Sequence, residues 1–264
     1  MMDIAQAYDA VYVGLRKSPT LQRIWREHAL GAAYPNGFEH LSFLTVSELR
    51  RLAATLEIRP GETLIDLACG AGGPALWIAK TTSARLVGVD ASNVAVAHAR
   101  DRANELGLSS VATFTAGRFD RLPLPSLTAD AIMSVDALQY APDKVAAFAE
   151  CARILRAGRT IAFTAFEIDG SRTAGIPVFD VDPVGDFRPL LERAGFRIDV
   201  YEETPGWQER IASTYHAILA VLPIISEEAG SSTAAGLSFE ISATLDRRVI
   251  HRRVFVVASR SFGH

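Results

Sequence analysis

Cysteine is scarce in this chain. Cys69 and Cys151 are the only two in 264 residues. That is too few for a disulfide scaffold, and neither stands at metal-ligand spacing from a histidine. Positive charge is not in surplus either: 27 Lys and Arg against 30 Asp and Glu give a net charge of -3. Such a surface has no field to attract a phosphate backbone, so nucleic acid is not an expected partner. No apolar run reaches the ~18 residues that a membrane span needs, and no signal-peptide pattern opens the chain. These absences predict a soluble, cytoplasmic protein with no membrane insertion and no metal site. Internal repeats and low-complexity tracts are missing too. The remainder is ordinary globular composition, 49% hydrophobic and 22% charged. The length suits one large α/β domain with a cap, or two small domains.

Against that plain background one stretch carries chemistry, Thr63-Leu64-Ile65-Asp66-Leu67-Ala68-Cys69-Gly70-Ala71-Gly72-Gly73-Pro74. Leu64, Ile65 and Leu67 form a short apolar run suited to a strand covered on both faces. Gly70 and Gly72 permit a tight turn and close approach of a ligand. Pro74 fits the first turn of a helix. A second acid, Asp90, ends the next apolar run, Leu86-Val87-Gly88-Val89. A strand, a glycine turn and a helix followed by an acid at the end of the next strand describe a nucleoside-type cofactor. It would lie at the carboxyl end of a parallel sheet, with Asp90 on the ribose hydroxyls.

Gly70-x-Gly72-x-x-Ala75 also satisfies the loose dinucleotide fingerprint, and an NAD-dependent oxidoreductase is one reading of it. Asp66 argues against that reading. A pyrophosphate over the helix N-terminus is anionic, and a carboxylate aimed at the same turn repels it. A cofactor with an ammonium group and a carboxylate there has the opposite preference, and the amino-acid end of S-adenosylmethionine is such a group.

Asp66-Leu67-Ala68-Cys69-Gly70-Ala71-Gly72 resembles the D-x-x-x-G-x-G motif of the class I S-adenosylmethionine-dependent methyltransferases. The resemblance continues from about Leu56 to Phe166. Gly88-Val89-Asp90-Ala91-Ser92 is similar to the ribose motif, and Phe114 to Pro123 to the third strand and the loop flanking adenine. Ala129 to Asp136 is similar to the fourth strand and its exit, and Ala141 to Gly158 to the helix and turn leading into strand five. It implies a Rossmann-like, seven-stranded, mostly parallel sheet with an antiparallel last strand, helices on both faces and a helical N-terminal lid. It further implies Asp66, Ala68, Gly70 and Gly72 at the methionine end, and Asp90 and Ala91 at the ribose. Gly117, Arg118 and Phe119 fall at adenine. Asp136 falls where the methyl leaves, against the methionine amino group or the acceptor. S-adenosylhomocysteine would be the product. Many relatives have an acid where this chain has Arg118. Its guanidinium either stacks on adenine or points to solvent, leaving adenine to the Phe119 backbone.

Along the chain, helices are expected at 5–15 and 20–30, a loop at 31–37, and an amphipathic helix at 41–57. Strands follow at 85–90, 111–116, 129–135 and 159–166, with a helix over 143–155 and Gly158 as its stop. A long loop at 167–185, a helix at 186–194 and a strand at 197–202 come next. A helix over 207–225, a polar and mobile stretch at 226–235, a helix near 237–246 and a final strand at 249–258 complete the chain. The expected division is a lid at 1–57, a cofactor-binding core at 58–166 and acceptor-side inserts at 167–264, within one domain.

The acceptor side is less marked. Sugar and natural-product relatives often place a histidine after strand four, where this chain has Leu138-Gln139-Tyr140. Gln139 is a candidate to orient an acceptor and Tyr140 to pack on it. His40 is the preferred base, with His216 as a second candidate. Phe38, Phe43, Trp207 and Tyr215 are candidates for an apolar pocket wall. No proline–aromatic motif follows strand four and no double-glutamate loop is present, which leaves a small organic acceptor, natural-product-like or quinone-like. A cyclase that binds the cofactor without transferring methyl is the alternative. A homodimer is compatible with the sequence, which carries no marker of oligomeric state.

Overall fold

The computed structural model describes residues 4–176, 179 and 182–261. Its centre is a seven-stranded sheet in the order β3-β2-β1-β4-β5-β7-β6. The strands are β1 (Thr63–Leu67), β2 (Arg85–Asp90), β3 (Ala112–Ala116), β4 (Ala129–Val135), β5 (Leu155–Ile168), β6 (Phe196–Glu203) and β7 (Ile250–Arg260). β1 to β5 pair in parallel, and β7 lies antiparallel between β5 and β6. The chain order reverses between β1 and β4, and the crevice at their carboxyl ends is where a doubly wound sheet binds its ligand.

One sheet face packs against α4 (Gly73–Thr82) and α5 (Asn93–Glu105), the other against α6 (Lys144–Ile154) and α7 (Arg188–Arg193). The end signals explain several of these helices. Ser92 accepts from the Ala95 amide at 3.0 Å and caps α5, and Asp143 caps α6 through the Ala146 amide at 2.8 Å. A cap over the crevice comes from both ends of the chain. α1 (Ile4–Lys17) and α2 (Pro19–Ile24), which runs into a π-helical turn at Trp25–Leu30, pack against α8 (Trp207–Ala220) and α9 (Leu222–Ala229). α10 (Ser231–Leu245) closes the group.

Four expectations change. The helix expected at 41–57 is α3 (Val46–Thr55). Thr45 and Glu48 form a capping box, with Thr45 N–H donating to Glu48 at 2.7 Å and Glu48 N–H to Thr45 at 3.3 Å. The preceding segment is therefore left non-helical along the crevice. Gly158 does not stop a helix. α6 already ends at Ile154, and Gly158 (φ 72°) sits in a bulge of β5, whose register against β4 shifts between Ala129 and Ala131. The single helix at 207–225 breaks before Pro223, whose ring suits the first turn of α9. The stretch expected to be mobile at 226–235 is helical on both sides of Gly230 (φ 95°). Of the loop expected at 167–185, positions 177, 178, 180 and 181 lie outside the described residues.

Candidate cofactor and acceptor site

A cavity of about 820 Å³ opens at the switch point and runs under the cap. Asp66, Ala68, Gly70, Asp90, Ala91, Gly117, Arg118, Phe119 and Asp136 all line it. Gly72 stands behind, at the N-terminus of α4. The turn needs left-handed backbone at Ala68 (φ 55°), Gly70 (φ 52°) and Gly72 (φ 76°). A Cβ on Gly70 would collide with the Tyr12 hydroxyl from α1. Gly70→Ala should therefore push α1 off the turn. A melting temperature at least several degrees lower is expected, with weaker S-adenosylhomocysteine binding, both read by thermal shift with and without ligand.

The two acids differ in their surroundings. Asp90 has one oxygen on the Gly70 amide at 2.8 Å and the other on the Ser92 amide at 2.8 Å. Its carboxylate is thus aimed by backbone, with lone pairs left for hydroxyl donors. Asp66 is buried and takes no hydrogen bond among the described residues. Burial first, and then the charge of Asp90, hold its carboxyl well above the usual range. These residues fit S-adenosylmethionine: an acid for the ammonium, a fixed acid for the ribose diol, and a glycine turn open to close approach.

Arg118 forks onto Asp120, with Nε–Oδ1 and Nη2–Oδ2 both at 2.9 Å, at the rim of the cavity. Neither the stacked nor the solvent-pointing arrangement expected above includes this partner. Asp136 lines the cavity, but its carboxylate has internal partners. Arg253 reaches it through Nε at 2.9 Å and Nη2 at 3.2 Å, and the Phe43 amide donates to it at 2.9 Å. Arg253 is itself fully buried and also donates to Glu48 at 2.7 Å.

On the acceptor side, His40 lines the cavity in the segment before α3. Its Nδ1 bonds the Ser42 hydroxyl at 2.7 Å, while the buried Nε2 has no partner among the described residues. Burial pushes the imidazole down to about 3, so it is neutral at physiological pH. Tyr140 lines the same cavity and stacks on Phe179, ring centroids 5.7 Å apart. Gln139 does not face it. Its amide N–H donates to the Asp136 carbonyl at 2.6 Å and its oxygen accepts from the Phe166 amide at 3.3 Å. It braces the exit of β4 with both ends of its amide, away from the cavity lining. His216 is on the exposed side of α8, away from the cavity. Phe38, Phe43, Trp207 and Tyr215 are buried in the core. The apolar wall is instead built by Leu15, Trp25, Leu30, Leu41, Val135 and Tyr140. The thiols of Cys69 and Cys151 are buried, with pKa values driven up by that burial, which makes them inert. No cluster of metal-ligating side chains occurs among the described residues, and none of their helices is long and apolar enough to cross a membrane.

Residues 64–158 match the family model described as "Methyltransferase domain". The chain is 26% identical over 221 residues to the 27-O-demethylrifamycin SV methyltransferase of Amycolatopsis mediterranei, covering 78% of this chain and 79% of that one. Among solved structures it is similar to the [4+2]-cyclase SpnF, with a TM-score of 0.74 at 22% identity, covering 98% and 96% of the two chains. It also resembles phosphoethanolamine N-methyltransferase 2 of Haemonchus contortus in complex with S-adenosyl-L-methionine, with a TM-score of 0.72 at 17% identity, covering 92% and 56%. The sheet order and the glycine turn define a Rossmann-like fold, shared with these two structures. The methyltransferase family model and the curated methyltransferase relatives support an S-adenosylmethionine-dependent methyltransferase of the class I type.

Proposed function

We propose that this enzyme methylates a small, largely apolar molecule at an atom bearing a proton. The observation that carries this reading is the acceptor side of the cavity, where Leu15, Trp25, Leu30, Leu41, Val135 and Tyr140 form an apolar wall with His40 set in it. A volume near 820 Å³ exceeds what one cofactor fills and is at the upper end of the usual range for ligand sites, leaving room for a second molecule. In this reading Asp66 and Asp90 hold the two ends of the cofactor, with Gly117, Arg118 and Phe119 around adenine. When bound, S-adenosylmethionine supplies an electrophilic methyl group on a sulfonium. Leu41, Val135 and Tyr140 align the acceptor and exclude water, and His40 takes the acceptor's proton, which bonding to the methyl carbon makes acidic enough for an imidazole of lowered pKa to accept. The 27-O-demethylrifamycin SV methyltransferase, similar along most of its length, supports an acceptor of natural-product type.

The test is incubation with S-adenosylmethionine and a panel of apolar phenols and hydroxylated macrocycles. S-adenosylhomocysteine and methylated product should accumulate one for one. A product that forms without S-adenosylhomocysteine would identify a cyclase instead. His40→Asn should lower kcat about 100-fold or more, in the range of a lost general base, with S-adenosylhomocysteine affinity unchanged. Undiminished turnover would remove His40 from the mechanism.

A further inference from the structure

The amino-acid end of the cofactor is a zwitterion, and Asp66 answers only its ammonium. Its carboxylate needs a cation nearby. Five arginines line the cavity: Arg16, Arg23, Arg26, Arg102 and Arg118. Four of them are already committed to carboxylates, on Asp101, Glu27, Glu39 and Asp120 respectively. Arg102, from α5, is the exception among the described residues. Its Nη1 donates to two backbone carbonyls, Glu39 at 2.7 Å and Ala71 at 3.1 Å, and no carboxylate lies against it. Ala71 is the middle residue of the glycine turn, so the guanidinium is fixed beside the turn that receives the methionine end.

We infer that Arg102 binds the carboxylate of S-adenosylmethionine, through the donors its two carbonyl contacts leave over. The same guanidinium ties the segment carrying His40 to the glycine turn, so the occupied site also fixes the acceptor wall. Burial lowers the pKa of Arg102, with Glu39 opposing, as for a cation short of its counter-ion. An arginine rather than a lysine suits the place, because a planar fork can serve two carbonyls and a carboxylate together.

This assignment rests on the cofactor site described above, and calorimetry separates the two. S-adenosylhomocysteine and its decarboxylated analogue are titrated into the wild-type protein, Arg102→Gln and Arg102→Lys. The wild type should prefer the intact ligand by about 10- to 100-fold. In Arg102→Gln that preference should shrink to near unity, because only the intact ligand loses affinity; Arg102→Lys should recover part of it. Equal weakening of both ligands would mean a purely structural role and overturn the assignment. A wild type with no preference would overturn it as well, whatever the folding of the variants. Failure of the wild type to bind either ligand would overturn the cofactor site together with this inference.

Discussion

Asp66→Asn should weaken S-adenosylmethionine binding by about 100-fold or more, while the unliganded variant melts no lower than the wild type at pH 7. Both effects have one cause. Pairing a buried carboxylate with an ammonium is worth roughly 2–5 kcal/mol when one partner is removed. Without ligand, the same carboxylate is a cost, since burial and Asp90 raise its pKa in the folded state. The sign follows from proton counting. The folded protein holds this proton to higher pH than the unfolded chain, whose aspartates titrate near 3.9. The contribution of Asp66 to stability is therefore intact below that pH, and is lost as pH rises through the raised folded value. Asparagine removes this loss. Melting curves of the two proteins from pH 4 to 8 should diverge upward in that direction, with the variant ahead at neutral pH. Ligand should reverse the order, because the ammonium restores the charge balance in the wild type alone. A variant that binds the cofactor normally would contradict the role given to Asp66.

Arg253→Met should destabilise the fold by about 3–5 kcal/mol, the usual cost of stripping one partner from a buried ion pair. For a chain of this length that is a fall of roughly 6–20 °C in melting temperature. Arg253 is fully buried and holds both Asp136 and Glu48; without it their one paired cation among the described residues is Arg210, 3.6 Å from Glu48. Asp136 in turn holds the Phe43 amide, three residues past His40. The loss should therefore reach the acceptor wall, with a raised KM for the acceptor in whatever fraction remains folded. Arg253→Lys keeps the charge without the fork and should recover part of the stability. Denaturation curves for both variants measure this directly. An unchanged midpoint for Arg253→Met would show that the network contributes nothing.

The cofactor half of this site is readable from sequence because its parts are contiguous. Asp66, Gly70 and Gly72 share one turn, and Asp90 is tied to that turn through the Gly70 amide. The sheet is readable for a similar reason, since each strand is a short apolar run bounded by turn residues. The acceptor half is assembled from remote segments. Arg253 meets Asp136 across 117 positions and Glu48 across 205, and Arg102 meets Glu39 across 63. No spacing encodes such pairs. A signal did exist for Arg253, because an arginine leading directly into the buried run Val254 to Val257 must find a counter-charge. The box formed by Thr45 and Glu48 is equally legible, and it places the start of α3 at Val46 with residues 41–45 outside the helix. The four aromatics expected in the pocket went to the core, where large apolar side chains bury most area. Gln139 is instead drawn to two backbone groups at the β4 exit, the Asp136 carbonyl and the Phe166 amide.

The most direct test is calorimetric titration with S-adenosylhomocysteine, with NAD in a parallel cell. A buried, unpaired Asp66 beside the glycine turn selects a cationic amino-acid end over a pyrophosphate. Micromolar binding of S-adenosylhomocysteine and no binding of NAD is the predicted result. Binding of NAD, with S-adenosylhomocysteine excluded, would contradict it.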